Sequence, residues 1–222
     1  GLDRDVALKV LRPPSSSDQS DSQRDDYMET LMQRFRREAM LLSKLRSPYT
    51  ITMYHYGTSS EGLLFMALEY IDGLSLAEVS RNQTPLRADR VVKILSQVLE
   101  SLHEAHSMGM LHRDLKPANI MVYEHLGEAD KVKLLDFGIA KTLGDSSRKD
   151  LTSDGTLIGP PRYMAPEQIQ GEPSSVGPPA DIYALGLVAY ELLVGMKAVQ
   201  GDNSIQIIGN QLGAVSYALP DE

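Results

Sequence analysis

The apolar residues of this chain change their rhythm once, near Ile71, and that change limits the fold to a strand-bearing unit followed by a helical one. Val6–Leu11 (VALKVL) is a short β-branched and apolar run that predicts a strand. Residues 13–26 (PPSSSDQSDSQRDD) are polar and predict a loop. Met28, Leu31, Met32, Phe35, Ala39, Leu42 and Leu45 then recur at three- and four-residue steps, a helix that Pro48 is expected to end. Strand-like runs at 51–56 and 63–69 flank a glycine-bounded turn at 57–62. Residues 1–70 thus predict a small strand–helix–strand–strand lobe. Beyond it, Val91, Ile94, Leu95, Val98, Leu102 and Ala105 share one face of a helix over 91–107. Residues 120–122 and 132–135 predict a β pair around a loop at 124–130. Residues 171–180, rich in Pro and Gly, predict a loop, and 181–194, apolar nearly all round, a buried helix. The class is α+β, with 71–222 as the larger unit.

The chemistry sits after the 91–107 helix. His112-Arg113-Asp114-Leu115-Lys116-Pro117-Ala118-Asn119 puts a carboxylate, an ammonium and an amide into one short loop. Asp136-Phe137-Gly138 adds a second carboxylate with a glycine close behind. Phosphoryl transfer needs a carboxylate to orient the acceptor hydroxyl, cations for phosphate oxygens and hard oxygen ligands for magnesium. Other classes recede. A net charge of -8 speaks against nucleic-acid partners, and the absence of cysteine removes disulfides and cysteine–zinc sites and suits a reducing compartment. The longest apolar run, 182–190, is too short for a membrane span, and no secretory signal pattern is present, so the chain is expected to be cytoplasmic, on its own or as the cytosolic domain of a membrane-anchored parent. His103 and His106, one turn apart without a third ligand, read as helix-surface residues.

With Ala165-Pro166-Glu167, these motifs resemble the protein kinase signature. The stretches Arg162 to Gln168 (RYMAPEQ) and Asp181 to Gly186 (DIYALG) resemble its bacterial, eukaryotic-type Ser/Thr branch. The resemblance covers essentially the whole chain. It implies a two-lobe kinase-like fold truncated at both ends, with a glycine-rich phosphate loop ahead of Gly1 and further helices after Glu222. It implies ATP and Mg2+, and protein Ser/Thr hydroxyls as acceptors. Asp114 would be the catalytic carboxylate, Lys116 would sit near the transferred phosphate, and Asn119 and Asp136 would hold magnesium. Val6-Ala7-Leu8-Lys9 implies that Lys9 meets the α- and β-phosphates, held by an ion pair with Glu38. Leu68-Glu69-Tyr70-Ile71 resembles the hinge, with the backbones of Glu69 and Ile71 on adenine, Leu68 as gatekeeper, and Ala7 and Met121 sandwiching the ring. Arg113 implies a switch by phosphorylation at Thr152, Ser153 or Thr156, with self-association for autophosphorylation. Two departures stand out. Gly159-Pro160 occupies the place of the family's usual Gly-Thr, and Glu167 is expected to be a buried carboxylate without the arginine of a later helix. The alternative reading is a pseudokinase or scaffold that binds protein partners and transfers nothing. A small-molecule kinase fits less well, given the long segment between Asp136 and Ala165.

Overall fold

The structure, a computed structural model, describes residues 4–11, 21–137, 161–171 and 175–213; the side chains of residues 21–28, Leu31, Arg34 and Glu38 lie outside the description. Strands β1 (Val6–Leu11), β2 (Met53–Thr58) and β3 (Leu64–Glu69) form an antiparallel sheet in the order β1-β3-β2. On β3, Leu64, Met66 and Leu68 are buried, and helix α1 (Asp21–Leu42) contributes Phe35, Ala39 and Leu42 to the same core. Phe35 meets Tyr56 of β2 edge-on, with ring centroids 6.1 Å apart. On β1, Ala7, Lys9 and Leu11 are half-buried while Val6, Leu8 and Val10 are exposed, the alternation that a strand covered on one face requires.

A second sheet, β4 (Gly73–Ser75), β5 (Ile120–His125) and β6 (Glu128–Leu134), lies in the order β4-β5-β6. Around it stand α2 (Leu76–Gln83), α3 (Ala88–Ser107), α4 (Pro166–Gln170), α5 (Pro178–Val194) and α6 (Ser204–Leu212). Helix α3 buries Val91, Ile94, Val98, Leu102 and Ala105 and packs on β6 and α5. Its buried Gln97 donates to Asp130 O (2.8 Å) and accepts from Val132 N (3.1 Å), so the edge of β6 is satisfied by a side chain. One apolar cluster runs from Phe35 and Met66 through Leu102 and Leu134 to Leu192, so both sheets share a core.

Several expectations need correction. Residues 21–26, expected in a loop, open α1. Residues 13–20 of that expected loop lie outside the described residues. The helix also stops at Leu42, well before Pro48: Glu104 of α3 accepts from Arg46 N (2.8 Å) and Ser47 N (2.7 Å), drawing the chain away. Strand β2 starts at Met53, because residues 49–51 pair with β6 instead, through Leu134 N to Tyr49 O (2.7 Å) and Ile51 N to Leu134 O (3.0 Å). The loop expected at 124–130 shrinks to Leu126-Gly127, both at positive φ (51° and 79°), a two-residue hairpin turn. Arg90 fixes the returning strand through a forked contact with Asp130 (2.8 Å). Strand β4 and helices α2 and α6 were not foreseen, although Ser75-x-x-Glu78 caps α2 reciprocally (Ser75 N to Glu78 Oε2, 2.8 Å). Helix α5 begins at Pro178 inside the expected loop, since proline is tolerated in a first helical turn.

Candidate active site

The His112–Asp114 backbone is built on one buried carboxylate. Asp181 of α5, 2% exposed at its side chain, accepts from His112 N (2.9 Å, Oδ2) and Arg113 N (2.8 Å, Oδ1), and His106 Nε2 lies 2.8 Å from its Oδ2. His106 is therefore not a surface residue as expected; it turns inward from α3 onto Asp181, while His103 is exposed. Asp114 N donates to His112 O (2.8 Å), closing a three-residue turn in which Arg113 takes φ 62°. A left-handed residue with a side chain costs on the order of 1–3 kcal/mol and persists only where its surroundings hold it. Here Asp181 holds its N–H, and Gln168 Nε2 donates to its carbonyl (3.0 Å).

On that turn the expected residues converge. Asp114 Oδ2 accepts from Lys116 Nζ (2.7 Å) and Asn119 Nδ2 (3.1 Å), and Asn119 Nδ2 also reaches Asp114 O (2.8 Å). A 3-10 turn, Pro117–Asn119, sets that spacing. Leu135 N donates to Asn119 O (2.8 Å), which brings the Asp136 loop alongside. Asp136, at φ 52°, meets Lys9 Nζ of β1 at 2.5 Å, an ion pair between the two sheets' ends of the cleft. His112 is buried beneath, its ring 5.0 Å from that of Phe137 and its Nε2 2.7 Å from Leu135 O. Burial pushes the imidazole pKa down against the pull of Asp181, so the ring is neutral near pH 7 and donates from Nε2 to the carbonyl.

Ala7 and Leu68 are partners across β1 and β3, and Leu68 is buried. Ile71 and Met121 are half-buried. The Glu69 side chain points to a partner that the sequence did not suggest: Lys133 of β6, Nζ 2.9 Å from Oε2, with Thr52 N (3.1 Å) on the same oxygen. Burial alone would raise the carboxyl pKa of Glu69, but Lys133 and the Thr52 N–H hold it below the ordinary value. Glu38 lies within α1, and its side chain is outside the description. The expected switch residues Thr152, Ser153 and Thr156, together with Pro160, also lie outside the described residues. Glu167 is half-buried in the first turn of α4 rather than a buried carboxylate. Asp181 and Gln168 were not assigned roles from sequence; an aspartate in the apolar 181–194 run was the available signal.

The donor set suits magnesium. Asp136 offers carboxylate oxygens and Asn119 an amide oxygen, and magnesium is commonly held by one or two protein oxygens with water and phosphate completing its shell. Among the described residues no group of three or more His, Cys, Asp or Glu gathers as a metal site. Beside Asp114, a small cleft is lined by Arg113, Lys116, Tyr163, Met164 and Gln168. Its far wall is firm, since Tyr163 OH donates to Glu191 Oε2 (2.5 Å) and Arg162 reaches Val199 O (2.6 Å) and Gly201 O (2.5 Å).

The family model for the protein kinase domain matches residues 3–218. The serine/threonine-protein kinase pkn3 of Myxococcus xanthus is 42% identical over 205 residues, covering 92% of this chain and 35% of that protein. The serine/threonine-protein kinase PknB of Mycobacterium tuberculosis is 35% identical over 209 residues, covering 93% of this chain and 31% of that protein. Among solved structures, the kinase domain of Mycobacterium tuberculosis PknI, a double mutant, superposes with a TM-score of 0.63 at 28% identity, covering 88% of this chain and 66% of that one. The chain spans about a third of the length of the curated relatives it matches.

Proposed function

The chain belongs to the protein kinase domain family, on its bacterial Ser/Thr branch, and from that premise we propose that it transfers the γ-phosphoryl group of ATP to Ser or Thr hydroxyls of proteins, with magnesium. The observation that carries the proposal is the Asp114 carboxylate, fixed by Lys116 and Asn119 on a turn clamped by buried Asp181. Asp114 orients the acceptor hydroxyl and takes its proton as the new O–P bond forms and the bond to the leaving ADP oxygen breaks. Lys116 offsets charge on the phosphoryl oxygens, and Lys9 serves the α- and β-phosphates. Asn119 and Asp136 would hold magnesium, which supplies charge neutralisation when bound. Glu38 would hold Lys9 once nucleotide is in place. The backbones of Glu69 and Ile71, with Ala7, Leu68 and Met121, would form the adenine slot.

We keep residues 1–70 and 71–222 as the two lobes and place the reaction in the cytosol, which supplies ATP. Among the described residues, no helix is long and apolar enough to cross a membrane. Phosphorylation within 142–158 by a second copy of the chain is the proposed route of activation.

The test is Asp114→Asn in the full-length protein, with Mg-ATP and a basic protein acceptor. Loss of transfer by about 10²–10⁴-fold with nucleotide affinity kept is the expected result. A rate within about tenfold of wild type, a change of only ~1.4 kcal/mol, would rule out the role. A wild-type protein that binds nucleotide and transfers nothing would favour the scaffold reading.

A further inference from the structure

Gln168 is the third residue of α4, a position from which a side chain reaches back to the first free N–H of its helix. Its Oε1 accepts from Ala165 N (2.9 Å), and its Nε2 donates to Arg113 O (3.0 Å). The two contacts fix the orientation of the amide without ambiguity: an N–H needs the oxygen, and a carbonyl needs the NH2. The carbonyl that Gln168 holds belongs to the left-handed residue immediately before Asp114. The N–H of that residue is held by Asp181 from α5. Arg113 is thus gripped at both ends of its backbone, from two different helices, and the Asp114 peptide begins at the gripped carbonyl. If the Arg113 carbonyl rotates, the plane of the following peptide rotates with it, and the Asp114 side chain swings.

We propose that Gln168 is a positioning residue for phosphoryl transfer, setting the direction of the Asp114 carboxylate by locking the Arg113 carbonyl to the start of α4. The inference rests on the catalytic role given above to Asp114. Gln168 lines the same cleft as Asp114, so any displacement of α4 by a docking acceptor is passed directly to the catalytic turn. The amide therefore couples the acceptor side of the cleft to the carboxylate that must meet the acceptor hydroxyl.

Gln168→Glu separates this role from simple helix capping. A carboxylate still accepts from Ala165 N and suits a helix N-terminus, but its second oxygen faces Arg113 O with no hydrogen to give. In the full-length protein, Gln168→Glu should lower kcat for a protein acceptor by about 10–100-fold, since displacements near 1 Å carry such factors. Mg-nucleotide affinity should stay within about twofold and the unfolding midpoint close to wild type. Gln168→Met, which loses both contacts, should lower kcat similarly but also lower the midpoint. A Gln168→Glu enzyme with kcat within threefold of wild type overturns the proposal. Hydrogen exchange across residues 110–116 reads the same claim without turnover: faster exchange of that segment in Gln168→Glu supports it, and unchanged exchange overturns it. A wild-type protein that transfers nothing defeats the assigned activity, while the exchange comparison still decides the role of Gln168.

Discussion

The two walls of the cleft are held in different ways. On the large-lobe side, the Asp114 turn hangs from Asp181, whose side chain is 2% exposed, and its backbone donors and acceptors are matched by named partners. On the small-lobe side, Lys9 and Asp136 meet across the opening with 27% and 38% of their side chains exposed. A turn whose backbone groups are all hydrogen-bonded and which is anchored on a buried carboxylate keeps its geometry whether or not substrate is present. A half-exposed ion pair is screened by water and is worth little in stability, so its partners are free to exchange for phosphate or metal. The comparison separates a preformed half, which in the proposed reaction would orient the acceptor, from an adaptable half, which would receive the nucleotide.

Asp181→Ala should strike the preformed half hardest. It strands a buried N–H at His112 and a part-buried one at Arg113, and a fully buried group of this kind costs about 1–3 kcal/mol. We expect a loss of about 3 kcal/mol in urea unfolding together with loss of transfer. A loss below about 1 kcal/mol would show that the turn does not depend on that carboxylate.

Lys9→Met should do the reverse. Mg-nucleotide affinity is expected to fall about tenfold, ~1.4 kcal/mol, while unfolding changes by less than about 1 kcal/mol because the pair is screened. Calorimetric titration and a melting curve on one preparation decide it, and a stability loss as large as that of Asp181→Ala would erase the contrast between the walls.

The smallest effect expected is a pH dependence. The His112 pKa is lowered by burial, so the unfolded chain takes up a proton that the folded chain resists. Stability contributed by the neutral ring is present above the unfolded value near 6.5 and is lost as pH falls below it. Between pH 7.5 and 5.5 this amounts to at most about 1.4 kcal/mol. Replacing His112 with Phe should flatten that part of the profile, and an unchanged slope would assign the dependence to other histidines.

Sequence alone carried much of this. The period of the apolar residues marked β1, β3, α3 and α5 closely, because a covered strand face or helix stripe must be apolar wherever it lies. The motifs at 112–119 and 136–138 pointed to phosphoryl transfer through their resemblance to the kinase signature. Boundaries fared worse where a distant segment set them: Glu104 decides where α1 is left behind, and the backbone of β6 takes Ile51 from the start of the expected 51–56 strand. The β pair around 124–130 was foreseen, but its tight turn at Leu126-Gly127 was not, because a leucine at positive φ gives no local signal.

What the sequence determined by itself was the class of fold and a candidate set of reactive groups, both written in residue types and short spacings. What only the tertiary structure decided was which groups hold those residues in place. Asp181 lies 67 positions beyond Asp114 in the numbering, Gln168 comes from another helix, and Lys133 meets Glu69 from the other sheet. Such contacts depend on where the backbone turns in space, and a buried carboxylate looks the same in sequence as a solvated one until its partners are brought to it.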